Sequence, residues 1–236
     1  MRVRTPVLRM RWEALSYLHW DLAPEVVAAN LPAGLEPDVH DGRAYVGLVP
    51  FRMAGIGLGP PGIRLPRSTF PETNVRTYVV GPDGGRGVYF HSLDITYLAP
   101  TVVARTVYRL PYGWSTMHIG RRGRCIGYLA RRRWPAPRGA SSRVVVEIGE
   151  RLTPGATTAL DEFLSSRWSL YEVGPHGAVI RARVDHEPWP LREARVLVGE
   201  DEFVGAAGYD LGTRAASHVR YGGDVAVRVG PPRRVG

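Results

Sequence analysis

From residue 43 onward the chain breaks repeatedly into short alternating segments bounded by turn residues, and this pattern limits its folds more than any other feature. Strands of this kind are read at "RAYVGLVPFRM" (43–53), "STFPETNVRTYVV" (68–80), "GVYFHSLDI" (87–95), "GWSTMHIG" (113–120), "RCIGYLARRR" (124–133) and "SRVVVEIG" (142–149). Four more follow: "SLYEVG" (169–174), "AVIRARVDHEPWP" (178–190), "ARVLVG" (194–199) and "DVAVRV" (224–229). The "GPDGG" turn joins the second and third into a hairpin over 73–95, and Pro50 marks an edge or a bulge. Helical spacing is confined to "PEVVAANL" (24–31), "TYLAPTVVARTVYRL" (96–110) and "TPGATTALDEFLSSRW" (153–168), the last with Thr153 as N-cap before Pro154. The first segment, "MRWEALSYLHWDL", mixes apolar and polar residues without a clear period. Many strands, few helices and no βαβ rhythm predict an α+β fold: one mostly antiparallel, barrel-like sheet with helices against it, in a single domain over 1–236. The Gly/Pro-rich segment 54–67 reads as a long irregular loop.

The strand at 68–80, entered through Pro71, has an unusual face. Alternation places Glu72, Asn74, Arg76 and Tyr78 on one side and Thr73, Val75, Thr77 and Val79 on the other. An acid, an amide, a guanidinium and a phenol in a row form either solvated surface or the wall of a binding cavity.

Composition removes several function classes. The net charge of +9 comes entirely from arginine, and the chain has no lysine. A Schiff-base nucleophile, a pyridoxal-phosphate anchor and a Walker-type phosphate lysine are therefore excluded. The arginines are spread along the chain without a nucleic-acid-binding motif, so no specific nucleic-acid partner is expected. One cysteine, Cys125, rules out an internal disulfide, and no His/Cys spacing indicates a metal site. Neither a signal peptide nor a membrane span is evident, so a cytoplasmic protein without membrane attachment is expected. "GIGLGPPG" (55–62) is Pro-broken and opens no helix, so no dinucleotide is expected and no other cofactor is implied.

"LHWDLAPEVVAANLPAGLEPDVHDGRAYVGLVPFRM" (18–53), "FPETNVRTYV" (70–79), "GVYFHSLD" (87–94), "LPY" (110–112) and "HEPWPL" (186–191) together resemble the DUF2071 (YqjF-like) family over nearly the whole chain. That family is similar in turn to acetoacetate decarboxylase, which implies an antiparallel β-cone or barrel enclosing a pocket, with flanking helices. The resemblance also marks a departure. Acetoacetate decarboxylases carry a Schiff-base lysine after a Tyr-Pro, and the corresponding segment here is "YRLPYGW" (108–114), with Tyr112 at or beside that place. Schiff-base decarboxylation is excluded.

Within such a pocket Glu72 is the candidate acid or base, or else the partner of an arginine. Arg76 is the candidate anion anchor, or else half of a buried ion pair with Glu72 or Asp94. Asn74 and Tyr78 would orient a ligand, and Arg52 and His91 complete the binding set. His91 and Asp94 point to opposite faces unless a bulge intervenes. His186 with Glu187 is either a catalytic pair or a corner that packs Trp189 under the sheet. The function expected is binding of a small organic acid or carbonyl compound, with non-covalent proton transfer such as isomerisation, dehydration or cyclisation. A binding or sensing module without catalysis is the alternative, and a homo-oligomer is compatible with either.

Overall fold

The computed structural model describes residues 3–59, 63–97, 110–153 and 155–236. The first segment is a strand, β1 (Leu8–Leu22), followed by a short helix α1 (Pro24–Ala28) with proline in its first turn. Then come β2 (Glu36–Pro37), β3 (Ala44–Leu58), β4 (Ile63–Arg64), β5 (Phe70–Val80) and β6 (Arg86–Ile95). After residue 110 the order is β7 (Tyr112–Arg122), β8 (Cys125–Trp134), β9 (Ser141–Arg151), α2 (Ala159–Ser165), β10 (Ser169–Val173) and β11 (Val179–His186). The chain ends with β12 (Arg192–Asp201), α3 (Phe203–Ala206), β13 (His218–Val229) and β14 (Arg233–Arg234).

All the strands join one fourteen-stranded sheet, antiparallel except where β6 pairs with β7 and with β10. Two strands change neighbour along their length. β6 pairs with β5 on one edge, while its other edge meets β10 at Val88 and Tyr89 and β7 from Leu93 to Ile95. β13 likewise pairs with β1 on one edge and with β12 and then β11 on the other. The run β13-β1-β3-β5-β6 is thereby closed twice: by β7, β8, β9 and β12 against one face, and by β10 and β11 against the other. This is a closed, mostly antiparallel barrel, as expected from the sequence.

Double closure explains the burial of β5. Val75 packs in one core with Leu48, Ile126, Val144 and Phe203, while Tyr78 packs in another with Phe90 and Leu164. Neither face of the strand reaches water over most of its length.

Several local expectations change. The 54–67 segment is partly strand: β3 runs on to Leu58 and pairs back with β4 at Ile63 and Arg64. Pro50 lies in a central strand, opposite Thr73, and the β1–β3 register breaks beside it between Glu13 and Leu18, which is the bulge a proline needs. The helix N-cap is Thr158, not Thr153; its hydroxyl accepts from the Asp161 amide at 3.1 Å, and Asp161 returns the bond as a capping box. The helix read over 96–110 falls largely outside the described residues.

One buried ion pair ties three strands together. Asp94 on β6 accepts from Arg132 Nε at 2.8 Å and Nη2 at 2.5 Å, and from Ser115 Oγ at 2.7 Å. Gly113 is required beside it, since a Cβ there would lie 2.6 Å from Asp94 Oδ1. Replacing Asp94 by alanine would strand a buried guanidinium, so Asp94→Ala is expected to lose about 3–5 kcal/mol in urea denaturation. A loss under about 1 kcal/mol would show that this fork is not a structural tie.

Candidate functional site

The face of β5 that carries Glu72, Asn74 and Arg76 lines a cavity of about 350 Å³ between the shared strands and β10–β11. The remaining wall comes from distant parts of the sequence: Trp12 and Tyr17 of β1, Tyr112 of β7, Glu172 of β10, His186 of β11, and Arg167 before β10.

Arg76 is held from behind. Its Nη2 donates to the Leu164 carbonyl at 3.1 Å and to the Tyr78 hydroxyl at 3.2 Å. Leu164 lies in the last turn of α2, where helix carbonyls lack intrahelical partners. Tyr78 donates to the same carbonyl at 2.9 Å and sits 2.6 Å from His19 Nε2. With its only proton on Leu164, the phenol oxygen accepts from both Arg76 and His19, which fixes His19 as the neutral Nε2–H tautomer. Burial and the Arg76 charge hold the His19 pKa well below the usual range. Tyr78 is therefore a support for Arg76 and not part of the cavity wall, which corrects its expected role.

Eight polar atoms that lack a hydrogen-bond partner among the described residues belong to residues of this cavity: Trp12 Nε1, Tyr17 OH, Glu72 Oε2, Asn74 Oδ1, Arg76 Nε, Arg167 Nη2, Glu172 Oε1 and Trp189 Nε1. Buried polar groups are ordinarily paired, so this concentration marks a surface made for a polar ligand.

The charges are unbalanced in the same direction. Arg76 forms no salt bridge among the described residues; Asp94 is taken by Arg132, and Glu72 is not Arg76's partner. Arg167 is bonded to Asp38, which also takes Arg86 at 2.7 and 2.8 Å, so one carboxylate serves two guanidinia. Burial pushes the Glu72 pKa up to about 8; the Asn74 side chain pulls it back and the Asp94 charge adds to the rise. Burial holds Glu172 well above the carboxylate range. Tyr112 is likewise raised by burial, reinforced by Glu72 and Glu172. At neutral pH both glutamates are therefore neutral acids in a cavity that Arg76 also lines.

His186 Nδ1 donates to its neighbour's carbonyl, Glu187 O, at 2.7 Å. Its ring lies 4.5 Å from Trp168 and 5.2 Å from Trp189, and burial lowers its pKa. The Glu187 side chain is exposed, so the two do not form a catalytic pair. Trp189 does pack under the sheet, stacked on Trp12 at 6.1 Å, while also lining the cavity.

Two expected binding residues lie elsewhere. His91 is the extra residue of a β-bulge, since Val75 faces Ser92 while Arg76 faces Phe90. Its Nε2 meets the Tyr209 hydroxyl at 2.8 Å, away from the cavity, and burial lowers its pKa to about 4. Arg52 pairs in register with Glu13 and alternates with Met53, the cavity-facing neighbour, so it faces the other way. Conversely, the sequence reading passed over Glu172, Arg167, Trp12 and Tyr17. Glu172 interrupts the apolar positions of "SLYEVG", which is the one local signal that could have singled it out. Among the described residues no cluster of His, Cys, Asp and Glu is placed to hold a metal, and no helix is long and apolar enough to cross a membrane.

Residues 9–225 match the DUF2071 family, described as an uncharacterized conserved protein. The chain belongs to the DUF2071 family. Within the curated relatives it is 28% identical to the uncharacterized protein YqjF of Bacillus subtilis (strain 168), over 87% of this chain and 83% of that protein. Among solved structures it is similar to acetoacetate decarboxylase from Legionella pneumophila (TM-score 0.66, 11% identity, 98% of this chain and 87% of that chain). It also resembles an acetoacetate decarboxylase-like enzyme from Sphingomonas wittichii RW1 (TM-score 0.62, 13% identity, 98% and 93%). The enduracididine biosynthesis enzyme MppR complexed with pyruvate is a further likeness (TM-score 0.61, 14% identity, 98% and 91%). At these identities the likeness shows the fold. Tyr112, at or beside the place where the resemblance puts the decarboxylase lysine, lines the cavity, but a phenol cannot form an imine.

The raised Glu72 predicts a pH dependence of stability. The carboxyl ionises near 4.5 when unfolded and near 8 when folded, so the unfolded state loses its proton first. Stability is full below about pH 4.5 and falls as pH rises from there to about 8. Glu72→Gln is expected to flatten that part of the curve in urea denaturation between pH 5 and 8. An unchanged slope would place the Glu72 pKa in the ordinary range.

Proposed function

We propose that the protein binds a small organic acid or carbonyl compound in this cavity and moves a proton on it without a covalent intermediate. The observation that carries this reading is Arg76: a buried guanidinium with no carboxylate partner among the described residues, whose Nε is unpaired at the wall of a cavity. A ligand carboxylate completes that charge, and the planar fork matches it bidentately.

Two titratable groups of the same cavity are both neutral at neutral pH. Glu72 is a neutral acid up to about pH 8, and His186 is a neutral base because burial disfavours its cation. For a carbonyl acid held on Arg76, His186 takes the proton α to the carbonyl while Glu72 gives its proton to the carbonyl oxygen, forming an enol. Return of the His186 proton to the opposite face or to a neighbouring carbon, with Glu72 recovering the enol proton, isomerises the ligand; if His186 instead gives its proton to a β-hydroxyl, that group leaves as water while Glu72 recovers the enol proton. Asn74 and Tyr112 supply polar contacts to the developing enol oxygen. That a protein of this fold holds pyruvate, in the MppR complex, supports the ligand class. The alternative, binding without turnover, needs Arg76 but neither titrating group.

The test is α-deuterium exchange into 2-oxo and 3-oxo acids followed by NMR, with binding read from tryptophan fluorescence. Glu72→Gln is expected to slow exchange roughly 10²–10⁴-fold with little change in binding. Arg76→Lys should weaken binding instead, as a point charge replaces a fork. Binding without any exchange in the native protein would establish the non-catalytic alternative. Binding indifferent to Arg76 would overturn the site.

A further inference from the structure

The cavity is longer and greasier than its polar end requires. Past Arg76, Asn74 and Glu72 on β5, the wall continues on β3 with Met53, which lies opposite Phe70. Beyond Met53 the lining is apolar: Ile56 on β3, Leu8 and Met10 on β1, and Val229, which pairs with Leu8. Trp12, in register with Met53, stands between the two ends.

The apolar end also has an apolar rim. Val7, Leu58, Ile63 and Leu65 are among the exposed large hydrophobic side chains, with Ile63 at 67% exposure. They are neighbours by pairing: Leu58 lies opposite both Leu8 and Ile63, and the Leu65 amide donates to Ile56 O at 2.9 Å. Val7 itself lines the cavity. Volume points the same way. A cavity of about 350 Å³ has the volume of roughly a dozen waters, more than the six or seven non-hydrogen atoms of pyruvate or acetoacetate require.

We infer that the ligand is an amphiphilic monocarboxylate: its carboxylate sits on Arg76, and an apolar tail of about six to eight carbons runs towards Trp12 and the apolar lining of Met53, Met10 and Ile56. This rests on the anion site proposed above and specifies what must follow the carboxylate. A tail of that length buries methylenes at about 0.8 kcal/mol each, a threefold to fourfold gain in affinity per carbon.

The experiment is a fluorescence or calorimetric titration of the native protein with straight-chain carboxylates from acetate to dodecanoate, each below its aggregation limit, and with octan-1-ol. Affinity is expected to rise about threefold to fourfold per methylene from butanoate to octanoate and then level off. Octanol, which lacks the charge, should bind at least tenfold more weakly than octanoate. Ile56→Glu should flatten the chain-length series while leaving butanoate within about twofold. If acids bind through Arg76 with no dependence on chain length, the tail is wrong and the anion site stands. If octanol binds as tightly as octanoate, the carboxylate anchor itself is wrong, and the proposal falls with it.

Discussion

Strand β5 is hydrogen-bonded along both edges and enclosed on both faces, and the other features of the site follow from that constraint. A strand in this position ordinarily carries apolar residues throughout. Here the face towards Phe203 and Ile126 is small and apolar enough to pack, with Thr73, Val75 and Thr77, whereas the opposite face holds Glu72, Asn74, Arg76 and Tyr78. No solvent is available to those four. Tyr78 is satisfied by Leu164, His19 and Arg76, and it spends its bonds in fixing the guanidinium. The other three keep unpaired atoms towards the cavity.

An unpaired buried cation is costly, and folds usually neutralise one with an adjacent carboxylate. The opposite has happened here. Burial raises both cavity glutamates and keeps them protonated, and Asp94, the carboxylate on β6, is bound to Arg132 on the far side of the sheet. The C-terminal turn of α2 supplies only a carbonyl dipole to Arg76. Stability is given up at this point, which is where a binding site for an anion would give it up.

Much of this arrangement was legible in the sequence, for a simple reason. Alternation along one strand is local, so Glu72, Asn74 and Arg76 could be assigned to one wall without knowing what faced them. The meander after residue 110 was legible from its turn residues in the same way. What failed was non-local or depended on a single inserted residue. His91 changes face through a bulge that no composition rule marks, and Arg52 could be placed only once the β1–β3 register was known. Glu172 and Arg167 reach the cavity because β10 adds in parallel to β6 across about a third of the chain, a pairing with no local signature. The cap at Thr158 was readable, since Thr158 and Asp161 have capping-box spacing, but the Thr-Pro five residues earlier gave a competing signal.

The central claim is that Arg76 awaits an external carboxylate. The most direct measurement is a crystal structure of the protein with octanoate, refined without the ligand until its density is seen. The account predicts a carboxylate within hydrogen-bond distance of Arg76 Nε, Glu72 unpaired with Arg76, and tail density passing Trp12. Density for Glu72 rotated onto Arg76 as a salt bridge, with the fatty acid bound elsewhere, would contradict it.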